Sequence, residues 1–302
     1  MIFKRITLIG LGLIASSIAL SAKEKWKKVE INGYDICPKV RESARKIRLC
    51  EVKDNLNEAV KGADLVILCV PVGQIPGVIK SLIGEISSEM IITDVGSVKL
   101  SLIESIIPIL KEKIDFFVPG HPIAGTEKSG PESGFSGLFE GRWCVLTPLK
   151  LTDSNAVMKM KNFWSSLGMK IKIMTPEHHD LVLAVTSHAP HLIAYTMVGV
   201  VDDLETVTES EIINYSAAGF RDFTRIASSD PTMWRDIFID NSENILKILN
   251  DFSTNIEEFK KAVLEKNGDK LIKIFASTKN VRKEIIKAGQ DVQSPDFGRK
   301  KN

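Results

Sequence analysis

The chain has 302 residues, 44% of them apolar and 26% charged, with a net charge of +2. That length suits two domains with sizeable cores, and the balance is that of an ordinary folded protein rather than a disordered or fibrous one. Nothing in the near-neutral charge predicts nucleic-acid binding, so no nucleic-acid partner is expected, and the cluster Arg299-Lys300-Lys301 reads as a solvated tail.

Lys4 and Arg5 precede an apolar run to Ala22 that imitates a signal peptide. The glycines inside that run are better explained by a strand over 6–9, a turn, and a helix over 13–23. A second strand follows over 29–35 and a second helix over 39–48. The run 64–70 predicts a third strand, stopped by Pro71. Helix 74–83, strand 90–95, helix 101–111 and a strand at 116–118 continue the alternation, which implies βαβ units and a mainly parallel, doubly wound sheet. Between His121 and Gly141 the pattern breaks. Glycines at 125, 130, 134, 137 and 141 predict a long loop, and such loops in compact domains are usually functional. Two short strands, 143–147 and 170–174, end the β signal.

From Pro176 onward the period is helical, with starts marked by Pro176-Glu177 and Asp230-Pro231. The expected division is therefore an α/β dinucleotide-binding domain over 1–150 and an all-α domain over 151–302. Residues 181–201 are apolar enough to span a bilayer. They also carry His188, Pro190 and His191, which are costly in lipid, so a buried helix and no membrane partner are expected. Cys37, Cys50, Cys69 and Cys144 are too scattered for a zinc knuckle or a disulfide framework, which fits a cytoplasmic protein.

Gly10-Leu11-Gly12-Leu13-Ile14-Ala15 follows the first strand and opens the first helix, the setting that G-x-G-x-x-A requires. Gly10 permits the tight turn, Gly12 lets backbone approach a pyrophosphate, and Ala15 allows close helix–sheet packing. Amides at the helix start, at Leu13 and Ile14, favour negative charge. Asp35 ends the second strand, where a carboxylate accepts the ribose hydroxyls of NAD and repels the extra phosphate of NADP. Val70 and Pro71, at the end of the third strand, complete the cofactor set. Lys39 and Arg41, just beyond Asp35, leave a route for NADP.

Further blocks resemble the prephenate/arogenate dehydrogenase family. They are Asp94-Val95-Gly96-Ser97-Val98-Lys99, Gly120-His121-Pro122-Ile123-Ala124-Gly125-Thr126-Glu127-Lys128-Ser129-Gly130, Ser187-His188-Ala189-Pro190-His191, Gly219-Phe220-Arg221-Asp222-Phe223-Thr224-Arg225-Ile226-Ala227 and Pro231-Thr232-Met233-Trp234-Arg235-Asp236. They stand in family order across most of the chain, with no regulatory or chorismate mutase segment expected beside them. The resemblance implies oxidation of a cyclohexadienol by NAD with loss of the ring carboxylate. The product is 4-hydroxyphenylpyruvate from prephenate, or tyrosine from arogenate.

By the same resemblance His121 is the catalytic histidine, a neutral imidazole that accepts the substrate hydroxyl proton. Ser97 matches the serine that orients it, and Arg225 the arginine that grips the ring carboxylate through its planar fork. Thr126, Ser187, His188 and His191 match the lining of the substrate pocket. Arg221 and Trp234 match residues reaching it from a partner subunit, so an obligate homodimer through the helical domain is expected. No metal is expected, because His178 and His179 fall in a polar helix start and supply no convincing further ligands. Ala218 stands where the family often has a glycine, which bears on the substrate side chain. Three rivals remain: arogenate or dual-specificity cyclohexadienyl dehydrogenase, a β-hydroxyacid dehydrogenase using a lysine base, and a catalytically dead NAD-binding regulator. The helical motif carries no such lysine, and the intact His121, Ser97 and Arg225 oppose the dead site.

Overall fold

The computed structural model describes residues 1–87, 89–126, 128–203 and 218–287. The tail at 299–301, Glu127 of the glycine-rich block and the side chain of Ala218 lie outside the described residues. Six strands form the main sheet: β1 (Arg5–Ile9), β2 (Glu30–Tyr34), β3 (Glu51–Val52), β4 (Leu65–Leu68), β5 (Ile91–Asp94) and β6 (Phe117–Val118). All neighbours run parallel in the order β3-β2-β1-β4-β5-β6. This is the expected doubly wound sheet, and its strand order reverses between β1 and β4, where such sheets open a ligand crevice.

The helices α1 (Leu13–Lys25), α2 (Pro38–Lys46), α3 (Leu56–Val60), α4 (Ile75–Leu82) and α5 (Leu100–Leu110) cover both faces. Every residue of β4 is buried, as a strand with helices on both sides requires. One core joins Leu8, Ile18 and Ile67 to Phe163 and Trp164 of α6 (Ser154–Ser166). The other joins Ile9, Val66 and Leu68 to Ile79, Ile103 and Phe117.

Strand β7 (Gly120–Pro122) pairs antiparallel with β8 (Trp143–Leu146), which pairs parallel with β9 (Lys170–Ile173). The loop expected from His121 onward thus begins as a strand, with His121 opposite Val145. Farther along, the loop is tied to the Rossmann helices. Ser21 Oγ donates to the Ser136 carbonyl at 2.7 Å, Ser43 Oγ to Glu132 at 2.8 Å, and the Phe135 amide to Ser17 Oγ at 3.2 Å. Gly134 passes so close to α1 that a Cβ there would overlap Ser16.

The helical part comprises α7 (Pro176–Leu183), α8 (Ala189–Asp203), α9 (Ala218–Thr224), α10 (Pro231–Asp240), α11 (Ser242–Leu264) and α12 (Gly268–Lys287). One turn of π-helix, Ala184–His188, joins α7 to α8. Its cause is Pro190, which has no amide to return to the Thr186 carbonyl, so the turn loosens. The segment Pro176–Val201 is apolar enough to span a bilayer by composition. It is not the uniformly buried helix expected. His179, Asp180, Leu183, Ala184 and His188 are buried, whereas Met197, Val198 and Val200 are exposed.

The chain forms two compact units, Met1–Ile245 and Leu246–Asn302. Within the second, Phe259 stacks on Phe275 with ring centres 5.9 Å apart and Lys270 pairs with Glu258 at 2.9 Å. Its side chains Leu264, Ile272 and Val281 are exposed.

Candidate active site

A cleft of about 810 Å³ opens at the β1/β4 switch point, lined by Gly10, Gly12, Asp35, Val70, Pro71 and Gln74 among others. Gly10 sits at φ +88°, and a Cβ there would fall 2.8 Å from the Cys69 carbonyl oxygen. The loop can therefore be this tight only with glycine. A Cβ on Gly12 would meet nothing within 4 Å, so the backbone faces open space there. Helix α1 starts at Leu13 and Ile14 with no side-chain cap and no acidic residue in its first turn, leaving its amides and dipole for an anion. Asp35 is fixed by the Leu11 amide at 2.9 Å and the Cys37 amide at 2.8 Å, one on each oxygen. Each oxygen keeps a lone pair for a hydroxyl. These residues fit a dinucleotide.

At the carboxyl end of β5 the chain builds a buried polar block. Lys99 has no exposed surface, and its ammonium donates to Asp94 and, at 2.9 Å, to the Gly120 carbonyl. Asp94 also accepts the Gly96 amide at 2.8 Å and the Gly120 amide at 3.2 Å. The Asp94–Lys99 pair thereby pins both backbone groups of the residue before His121.

His121 is buried on β7, and its Nδ1 lies 2.9 Å from His179 Nε2. His179 Nδ1 lies 2.7 Å from Asp180 Oδ1. Asp180 in turn caps α5, accepting the Lys99 amide at 2.9 Å and the Leu100 amide at 2.8 Å. A carboxylate only accepts, so His179 carries its proton on Nδ1, and its Nε2 accepts from His121 Nδ1–H. His121 is left with a bare Nε2. Burial pushes His121 well below the ordinary imidazole value, with the charges of His179, Lys99 and His188 adding to it. Burial likewise lowers His179 against the opposing bond from Asp180. Both rings are neutral near pH 7, as a proton acceptor must be.

His179 was expected to be an ordinary helix-start histidine, and the structure overturns that. It also corrects the partner of His121. Ser97 is half-buried between Gly96 and Val98 and makes no hydrogen bond to His121 among the described residues, where His179 holds the ring.

A second chain of bonds starts from the same helix. The buried Asn241 amide nitrogen donates to the Asp180 carbonyl at 2.8 Å and to His188 Nδ1 at 3.0 Å. His188 therefore carries its proton on Nε2, a buried atom with no hydrogen-bond partner among the described residues. Burial lowers its pKa to about 4. His191 Nδ1 donates to the Ser187 carbonyl at 2.8 Å, and its ring stacks on Trp234 with centres 3.8 Å apart. Trp234 is buried with Val98 and Ile237 of its own chain.

Arg225 is exposed, begins a short turn after α9, and lies close enough to His191 for its charge to help lower that ring's pKa, behind burial. Arg221 is exposed on α9. Thr126 is exposed in the loop, its hydroxyl accepting the Lys128 amide at 3.2 Å. Among the described residues no group of three or more His, Cys, Asp and Glu has the geometry to hold a metal.

Two family models match the chain: the prephenate dehydrogenase nucleotide-binding domain over residues 18–173 and the prephenate dehydrogenase dimerization domain over residues 175–277. A cyclohexadienyl dehydrogenase of Zymomonas mobilis is 39% identical over 97% of this chain and 99% of its own length. A prephenate dehydrogenase of Bacillus subtilis is 36% identical over 92% of this chain and 75% of its own. The crystal structure of Aquifex aeolicus prephenate dehydrogenase in complex with hydroxyphenyl propionate and NAD+ superposes with a TM-score of 0.84 at 35% identity, covering 93% of this chain and 98% of that one. The chain belongs to the prephenate dehydrogenase family.

Proposed function

We propose that the protein is an NAD-dependent prephenate dehydrogenase that oxidises and decarboxylates prephenate to 4-hydroxyphenylpyruvate. The observation that carries the mechanism is the buried series His121–His179–Asp180, which leaves one bare imidazole nitrogen. When bound, NAD supplies the hydride acceptor, held by Gly10, Gly12, the α1 amides of Leu13 and Ile14, Asp35, Val70 and Pro71.

As hydride departs from the carbinol carbon, its hydroxyl becomes acidic, and His121 Nε2 accepts that proton. The positive charge passes toward His179 and Asp180, which is anchored by two backbone amides and needs no rearrangement. Such assistance contributes about 10²–10⁴-fold. Arg225 grips the ring carboxylate; pairing stabilises the very group that must leave, so it serves binding more than bond cleavage. His188 offers Nε2–H to a substrate oxygen, and Ser187, His191, Trp234, Arg221 and Thr126 line the remainder of the site. Ser97 stands at the end of β5 beside the expected nicotinamide edge.

In this reading residues 1–150 carry the cofactor and 151–302 the substrate and dimer contacts, with β9 completing the sheet that displays His121. Exposed apolar side chains on α8 and α12 support a homodimer through the dimerization domain. The free thiols fit a cytoplasmic location, with burial holding Cys50 up at about 12 and Cys69 and Cys144 raised as well.

The cyclohexadienyl dehydrogenase relative favours a second reading, in which arogenate is also a substrate. A steady-state NADH assay with prephenate and with arogenate, each with NAD and NADP, tests both. Turnover of prephenate with NAD supports the main reading, comparable kcat/KM with arogenate the dual one, and no turnover of either substrate refutes both.

A further inference from the structure

Arg41 and Arg45 lie four residues apart on α2, and both reach Asp54 in the loop after β3. Arg41 Nε is 3.1 Å and Arg45 Nη2 is 2.8 Å from the same carboxylate oxygen. Arg41 Nη1 also donates to the Asp35 carbonyl at 2.7 Å and the Ile36 carbonyl at 3.2 Å. Its guanidinium carbon lies 5.7 Å from the centre of the Tyr34 ring. The side chain is only 15% exposed, although Asp54 is 71% exposed. Arg41 is thus held at the end of β2, beside the carboxylate assigned above to the ribose. An NADP enzyme keeps an arginine in this region to receive the 2′-phosphate.

We propose that Asp54 is a specificity determinant for the dinucleotide, latching Arg41 so that its guanidinium cannot turn to a ribose 2′-phosphate. Asp35 repels that phosphate, and Asp54 withdraws the one side chain best shaped to receive it. Both Nε and Nη1 of Arg41 are already engaged, and the carboxylate set between two guanidiniums halves their positive charge. NADP has to break the Arg41–Asp54 bond on binding, whereas NAD leaves it intact. The sequence alone places Arg41 as a route for NADP; the pairing closes that route.

The inference rests on the NAD-dependent reading. Its test is KM and kcat for NAD and NADP, with prephenate saturating, in the full chain and in Asp54→Ala, Asp54→Glu, Arg41→Ala and Asp54→Ala/Arg41→Ala. Fluorescence titration of NADH and NADPH gives the same comparison where turnover with NADP is too slow to fit. Asp54→Ala lowers the NADP constant about fivefold, the scale of one exposed ion pair, and leaves kcat and the NAD constant within about twofold. Asp54→Glu keeps the wild-type ratio, and the gain vanishes when Arg41 is also removed. An unchanged NADP constant in Asp54→Ala overturns the latch. So does an equal gain in the Arg41→Ala background, which would mark a general field effect. Wild-type protein that neither turns over with NAD nor binds NADH would instead sink the dinucleotide reading itself.

Discussion

His121 Nδ1 and His179 Nε2 are 2.9 Å apart, and this contact sets which nitrogen of His121 is left to accept a proton. The direction of the whole series comes from Asp180, which cannot donate. In Asp180→Asn one oxygen becomes an N–H that must face either the Leu100 amide or the Lys99 amide together with His179, so the α5 cap is broken and the charge that fixes the His179 tautomer is lost. The expected result is a fall in kcat of about 10²–10⁴-fold with the KM for NAD unchanged. His179→Ala leaves His121 unoriented and lowers kcat about 10–100-fold. Steady-state kinetics of both variants check this, and near-wild-type kcat in Asp180→Asn would remove the series from the mechanism.

The same burial fixes the pH behaviour. His121 acts while neutral, and its pKa lies well below 6.5 because burial disfavours the charged ring. The acid limb of kcat therefore falls well below pH 6.5, and an acid limb at or above 6.5 would contradict the assignment. Stability follows the same sign. Burial pushes His188 down to about 4 in the folded chain from the ordinary imidazole value of 6.5, so below 6.5 the unfolded chain takes up the proton first. Its contribution is fully present above pH 6.5 and is lost as the pH falls through about 4. That loss amounts to at most about 3 kcal/mol. Melting temperatures measured from pH 7 to pH 4 should drop, and His188→Gln should flatten the slope.

The fold was largely legible because β4 and β5 are short apolar runs bounded by turn residues, and because the glycine turn and Asp35 stand at fixed places in a βαβ unit. Strand β3 has two residues and α3 five, too few to show a period. His179 was hidden for a different reason. Pro176, Asp180, Leu183, Ala184 and His188 share one buried stripe with it, at successive spacings of one, three or four residues. A stripe mixing two histidines and an aspartate reads as polar until the Asp94–Lys99 block it packs against is known. Sequence order also gives no sign that Asn241 lies 3.0 Å from His188, 53 positions earlier. The Arg41 latch was half legible: the cation is plain in the sequence, but its partner Asp54 is 13 residues away across β3.

Arg225 is exposed on a short turn and faces the same region as His191. Its task in the proposed mechanism is to hold a carboxylate until that carboxylate leaves as CO2. Arg225→Ala should raise the KM for prephenate by about 10–100-fold, the worth of a charged hydrogen-bonded contact, and lower kcat far less. Arg225→Lys should restore only part of the affinity, because a lysine is a point charge without the fork. A loss concentrated in kcat would show that the arginine acts in the transition state instead.

Asn241 decides what His188 offers the substrate. Its amide donates to His188 Nδ1, which puts the ring proton on Nε2. In Asn241→Asp a carboxylate replaces that donor, and the ring turns its proton to Nδ1. At pH 8 neutral His188 then shows a bare Nε2, and the KM for prephenate should rise about tenfold, the scale of one lost hydrogen bond. The new carboxylate also raises the His188 pKa, so lowering the pH protonates both nitrogens and brings Nε2–H back. The variant's KM should therefore fall as the pH is lowered from 8 to 6. Wild-type KM should stay level over that range, since its His188 titrates only at about 4. Asn241→Leu separates this from simple damage to the fold: it removes the donor without adding charge, so its KM should rise but stay flat with pH. If the Asp and Leu variants share one pH profile, His188 does not present its Nε2 proton to the substrate.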